Sequence, residues 1–109
     1  MSDNWVNDIE NMHEKFGVHD WFQANRGDKA LMQKYLMFRM LMIGEEYQET
    51  LSAINNSDAE EVVDGLIDMC VFAIGTLDVM GVDANEAWNK IYDANMAKEP
   101  GVKPGRPNR

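Results

Sequence analysis

Six carboxylates pose the chemical question. Glu45, Glu46 and Glu49 form the pattern E-E-x-x-E, and Glu61, Asp64 and Asp68 follow at three- and four-residue spacing. In a helix, Glu45 and Glu49 stand one turn apart on one face, with Glu46 about 100° from Glu45. Glu61, Asp64 and Asp68 would span only about 60° of arc on a second helix. Between the two sets lies Asn55-Asn56-Ser57-Asp58, a helix-breaking segment. A connection that short joins consecutive helices as an antiparallel hairpin and turns the two acidic sets toward one another.

Two readings fit these residues: acidic faces that meet only water, or oxygen ligands gathered for a divalent cation. The rest of the second stripe weighs between them. Its sector continues through Val71, Phe72 and Gly75, and the stretch MCVFAIG has no polar side. A solvated stripe stays polar along its length, so these acids lie at the mouth of an apolar region. Like charges placed there repel and are desolvated, and a hard cation removes both costs. Ligands that are all oxygen select Mg²⁺, with Mn²⁺ as a substitute, over zinc or copper. A di-iron centre is disfavoured because it uses Glu-x-x-His, and here Glu61 is followed by Asp64. His13 and His19 lie outside both acidic segments and read as structural or surface residues.

Helices must position these groups. Trp5, Val6, Ile9, Met12, His13 and Phe16 recur at helical spacing, predicting a helix over 3–16 that Gly17 ends. A loop over 17–28 then carries Trp21 and Phe22, and Asp28 reads as the N-cap of a helix over 29–54. The middle of that helix, YLMFRMLMIG, is apolar nearly all round, which predicts burial on several sides, with Arg39 its only charge. Ser57 and Glu60 form a capping box for a helix that runs to about Met80 and stops at Gly81. Asp83 and Glu86 open a last helix from 84 to about 98. Pro100, Pro104 and Pro107 forbid its continuation. Four helices with short connections imply an all-α four-helix bundle, with one domain over 1–98 and a basic tail over 99–109.

Composition narrows the partners. The 109 residues carry a net charge of −9, and residues 98–109 carry +3, which leaves −12 on the rest. An acidic body argues against nucleic acid as a partner. No apolar run reaches the length of a membrane span, which argues against a membrane partner. The single Cys70 and an N-terminus without a basic-then-apolar pattern fit a cytoplasmic location. Apolar faces over 30–43 and 69–77 exceed what four helices of one chain cover, so a homodimer or homotetramer is expected.

Glu45-Glu46-x-x-Glu49 followed by Glu61-x-x-Asp64 resembles the signature of the all-α NTP pyrophosphohydrolases, the superfamily of MazG-like proteins, dimeric dUTPases and phosphoribosyl-ATP pyrophosphohydrolase. The stretches RMLMIGEEYQET, VVDGLIDMCVFAIGTLDVMGVD and DANMAKEP are similar to its phosphoribosyl-ATP-pyrophosphohydrolase-like subset of phage and integron type. The resemblance covers roughly residues 12–100. It implies a MazG-like helical bundle and Mg²⁺-dependent hydrolysis of a (deoxy)nucleoside triphosphate to a monophosphate and pyrophosphate, a house-cleaning activity. It also implies that Glu45, Glu46, Glu49, Glu61 and Asp64 hold the metal, and that sites form between subunits. Asp68 is an additional acid, a ligand or an outer-shell partner. The interval from Glu49 to Glu61 is short for the superfamily and requires a tight turn.

Within that frame Glu46, which flanks the face of Glu45 and Glu49, is the expected general base. Asn95 and Lys98 are candidates for phosphate or sugar contact, against a plain helix-terminal lysine. Trp21 is a candidate for stacking on the base. Arg39 is a further candidate for substrate binding; it either pairs with Glu46 or another chain's acid, or extends over the helix surface. Phosphoribosyl-ATP is the alternative substrate. A non-catalytic acidic helical module that docks through its apolar helices is the alternative of another class.

Overall fold

The computed structural model describes residues 4–99, and every regular element in them is helical. In chain order these are α1 (Trp5–Lys15), α2 (Val18–Asn25), α3 (Lys29–Asn55), α4 (Ala59–Val79) and α5 (Ala84–Met96). The sequence leads to four helices and the structure has five, because the segment read as a loop forms α2. Apart from Glu99, the tail over 99–109 lies outside the described residues.

Side-chain caps fix where the helices begin. Asn4 accepts from the backbone N–H groups of Val6 and Asn7, Asp28 from Leu31, and Asp83 from Glu86. At the start of α4 the cap is Asp58, whose Oδ1 accepts from the Glu61 N–H at 3.2 Å. Ser57, expected there, has a different task. It adopts a left-handed φ of 56° just past the end of α3. Its N–H donates to Ile54 O, while the Asp58 N–H donates to Ala53 O at 2.9 Å. This pair of bonds is a Schellman ending, so Asp58 closes α3 and opens α4 within one tight turn. Gly81, with φ 75°, ends α4 in the same way through the bonds Gly81 N–H to Asp78 O and Val82 N–H to Leu77 O.

Among the described residues the hairpin of α3 and α4 is the most extensive packing, and α1 and α2 lie against α4. The helices of the hairpin approach closely where buried Thr50 of α3 faces the buried Gly65 of α4, and Ala53, one turn further along α3, is buried too. Further along, Arg39 crosses from α3 to α4. Its Nε donates to Thr76 Oγ1 at 3.0 Å and its Nη2 to Phe72 O at 3.1 Å, with the guanidinium over the Phe72 ring. Gly75 makes room for this, since a Cβ there would stand 2.5 Å from Arg39 Nη2.

The apolar core is small: Ile9, Met32, Ala53, Val79 and Ala84 are its buried hydrophobic members. The middle of α3 was expected to be covered on several sides. Instead Met37, Phe38, Met40 and Leu41 are between 54% and 65% exposed, because α3 packs chiefly against α4. Val63, Leu66 and Ile67 on α4, and Trp88, Ile91 and Met96 on α5, are exposed as well. No single helix among the described residues is long and apolar enough to cross a membrane.

Candidate functional site

The contact between Thr50 and Gly65 sets the geometry of the carboxylates. Each residue immediately follows an acid, Glu49 on α3 and Asp64 on α4. The absence of a side chain at Gly65 lets Thr50 sit against the α4 backbone, where a Cβ would collide with Thr50 Oγ1 and stand 3.1 Å from Thr50 Cβ. Thr50 Oγ1 in turn donates to Glu46 O at 2.7 Å. The acids one and four residues before Thr50 are thereby brought beside those on α4.

Glu46 records the consequence. Its carboxyl is held above its ordinary value of 4.5, first by partial burial and then by the charges of Glu49, Asp68, Glu45 and Asp64. Two of these neighbours are on its own helix and two on the other, so the hairpin gathers five acids into one field. Glu46 is half-buried, while Glu45, Glu49, Asp64 and Asp68 are exposed. Asp68, the additional acid, belongs to the group. Glu61 is exposed in the first turn of α4, where its N–H completes the Asp58 cap. Beyond Asp68 the same face of α4 passes to half-buried Val71 and Phe72 and then to buried Gly75, as the sequence stripe requires.

The candidates for substrate contact are placed elsewhere. Lys98 Nζ donates to Asn95 Oδ1 at 3.0 Å, and both side chains are exposed where α5 ends. Trp21 sits in α2 rather than a loop, with its ring centroid 4.8 Å from that of Tyr35. Arg39 is engaged with α4 through Thr76 and Phe72, and among the described residues it forms no ion pair with Glu46.

A second cluster escaped the sequence reading. Asp78 Oδ2 lies 2.5 Å from His13 Nδ1 and 2.7 Å from His19 Nε2. Of the two roles expected for the histidines, structural or surface, the structural one holds: they tie α1 and α2 to one carboxylate of α4. The available signal was Asp78 itself, the only charge between Asp68 and Asp83 in an otherwise apolar run. The pairings span 65 and 59 residues, beyond the reach of any spacing rule.

The family model for phosphoribosyl-ATP pyrophosphohydrolase matches residues 19–95, a span that includes all six carboxylates. The chain belongs to this family, which lies within the MazG-like all-α NTP pyrophosphohydrolase superfamily. No curated protein and no solved structure shows a significant match to the chain.

Proposed function

We propose that this member of the phosphoribosyl-ATP pyrophosphohydrolase family hydrolyses a nucleoside triphosphate between its α and β phosphates with the help of Mg²⁺, releasing a monophosphate and pyrophosphate. The observation that carries the reading is the close approach of Thr50 to Gly65 in a chain that the family model matches, which sets Glu45, Glu46 and Glu49 of α3 beside Asp64 and Asp68 of α4. Repulsion among acids so placed is what a divalent cation offsets, and a donor set of carboxylate oxygens suits Mg²⁺ or Mn²⁺. Glu45, Glu46, Glu49, Glu61, Asp64 and Asp68 are the residues that would hold it. When bound, Mg²⁺ neutralises phosphate oxygens and lowers the pKa of a bound water.

The protein's own contribution would be orientation and proton transfer. Glu46, half-buried among the other acids and flanking the face of Glu45 and Glu49, takes the proton of the attacking water. Asn95, Lys98 and Trp21 are proposed to contact substrate, whereas Arg39, engaged with Thr76 and Phe72, supports the hairpin without touching substrate. A second copy of the chain, in a homodimer or homotetramer, covers the exposed apolar faces of α3, α4 and α5. A cytoplasmic location fits the exposed, unpaired Cys70.

Phosphoribosyl-ATP is a second substrate reading, favoured by the family that matches. One experiment addresses both. The purified protein is incubated with Mg²⁺ and a panel of ribo- and deoxynucleoside triphosphates plus phosphoribosyl-ATP, and products are resolved by chromatography. A monophosphate with pyrophosphate from one or more members is expected. Diphosphate with orthophosphate would overturn cleavage between the α and β phosphates, and no product from any member would overturn the proposal and favour a non-catalytic module.

A further inference from the structure

We infer that His13, His19 and Asp78 form a binding site for a first-row transition-metal ion, best suited to zinc, that clips α1 and α2 onto α4. One imidazole nitrogen from each histidine and one oxygen of Asp78 converge so that all three atoms lie within 4.8 Å of one another. Imidazole nitrogen with carboxylate oxygen is a zinc donor set, whereas Mg²⁺ prefers oxygen alone. The site is therefore chemically distinct from the acidic hairpin. It is also distant, since Asp78 follows Asp68 by ten residues, or roughly 15 Å of helix.

The fold makes specific provision for the cluster. Gly17, at φ 73°, turns the chain between α1 and α2 so that His19 returns toward His13. Gly75 leaves room for the His13 ring, whose Cε1 and Nε2 lie 3.2 and 3.3 Å from where a Cβ would stand. The His13 and Asp78 side chains are 14% and 11% exposed, and the two rings are 6.1 Å apart at 82°. His19 is more open, and with Asp78 it lines a groove of about 480 Å³ that Asn7, Glu10, Gln23 and Asp83 also border. That groove gives an ion a way in and leaves room for a water as fourth ligand, the arrangement of a three-ligand zinc site.

Accepting the ion requires the present N···O contacts of 2.5 and 2.7 Å to open. Zinc–ligand bond lengths in tetrahedral geometry set that movement at roughly 0.6–0.9 Å. His19, half-exposed on a short helix that follows a glycine turn, is placed to supply it.

The test uses the full chain with Cys70→Ser, which removes the exposed thiol, in excess Mg²⁺ to saturate the acidic hairpin. Zn²⁺ is titrated by calorimetry, Co²⁺ by its visible ligand-field absorption, and thermal unfolding is recorded with and without Zn²⁺. One Zn²⁺ per chain and a raised Tm are expected. Both should persist in Glu49→Gln and be lost in His19→Gln, which alters a half-exposed side chain and leaves the core intact. Asp78→Asn should behave like His19→Gln. Absence of saturable Zn²⁺ binding, or undiminished binding by His19→Gln, would overturn the inference and leave a purely hydrogen-bonded triad. Persistence in Glu49→Gln keeps this result independent of the hydrolase proposal.

Discussion

Thr50 of α3 fills the space that a side chain on Gly65 of α4 would occupy, and its hydroxyl bonds back to the carbonyl of Glu46. This contact links the packing of the hairpin to the site, because Glu49 and Asp64 are the residues just before the touching pair. Gly65→Ala should force the helices apart, at a cost of about 1–3 kcal/mol in stability. It should also weaken Mg²⁺ binding, because the acids separate. Urea unfolding and calorimetry would check the two effects on one sample. Loss of stability with unchanged Mg²⁺ affinity would mean that the acids do not depend on this approach.

The turn between α3 and α4 offers a change of opposite sign. Ser57 holds φ at 56° in a position that glycine occupies without strain. Ser57→Gly should therefore stabilise the protein by about 1 kcal/mol, while Gly81→Ala at the matching end of α4 should destabilise it by a similar amount. Phe22 is only in ordinary contact range of a Cβ at Gly81, at 3.7 Å, so the cost there is one of backbone conformation. Both shifts can be read by chemical denaturation.

These turns also show what local sequence conveys. Asp28, Gly81 and Asp83 act as expected because capping depends on a few adjacent residues. The α4 cap falls one residue later than Ser57 because two helices compete for the same turn, and Ser57 is taken by the ending of α3. The short α2 was illegible for a different reason. Its eight residues are held by remote partners, His19 on Asp78 and Trp21 beside Tyr35, rather than by an apolar stripe of their own. That Glu45, Glu46, Glu49, Asp64 and Asp68 lie near one another was legible because helical spacing and one tight turn bring them together. The histidine cluster depends on how α1 and α2 dock on α4, which no periodicity encodes.

The exposed middle of α3 predicts association. Leu41 is 65% exposed beside Met37, Phe38 and Met40, a contiguous apolar surface of the kind that subunit interfaces cover. Analytical ultracentrifugation should find a dimer or tetramer for the native protein and a monomer for Leu41→Asp. A native protein that sediments as a monomer at all concentrations would contradict the expectation.

The raised pKa of Glu46 gives a pH dependence with a definite sign. A carboxyl that is harder to ionise in the folded state destabilises the metal-free fold once it ionises. Its favourable contribution is therefore full below the ordinary value of 4.5 and is lost as pH rises through the folded-state pKa. Without metal, Glu46→Gln should melt above the native protein at neutral pH, and the difference should vanish as pH falls below 4.5. If Glu46 is the base, the same variant should lose roughly 10²–10⁴-fold in turnover. A melting difference that grows toward acid pH would reverse the sign and refute the electrostatic account of this carboxyl.

The most direct test of the acidic hairpin as a catalytic metal site is Mg²⁺-dependent pyrophosphate release, measured in parallel for the native protein, Glu49→Gln and Asp64→Asn. Helix content is monitored in each by circular dichroism. Release that EDTA abolishes is expected from the native protein. Both variants should lose it while retaining native helicity, since each removes an exposed carboxylate rather than a packing residue. Full Mg²⁺-dependent activity in both variants would contradict the assignment and move the site away from the turn between α3 and α4.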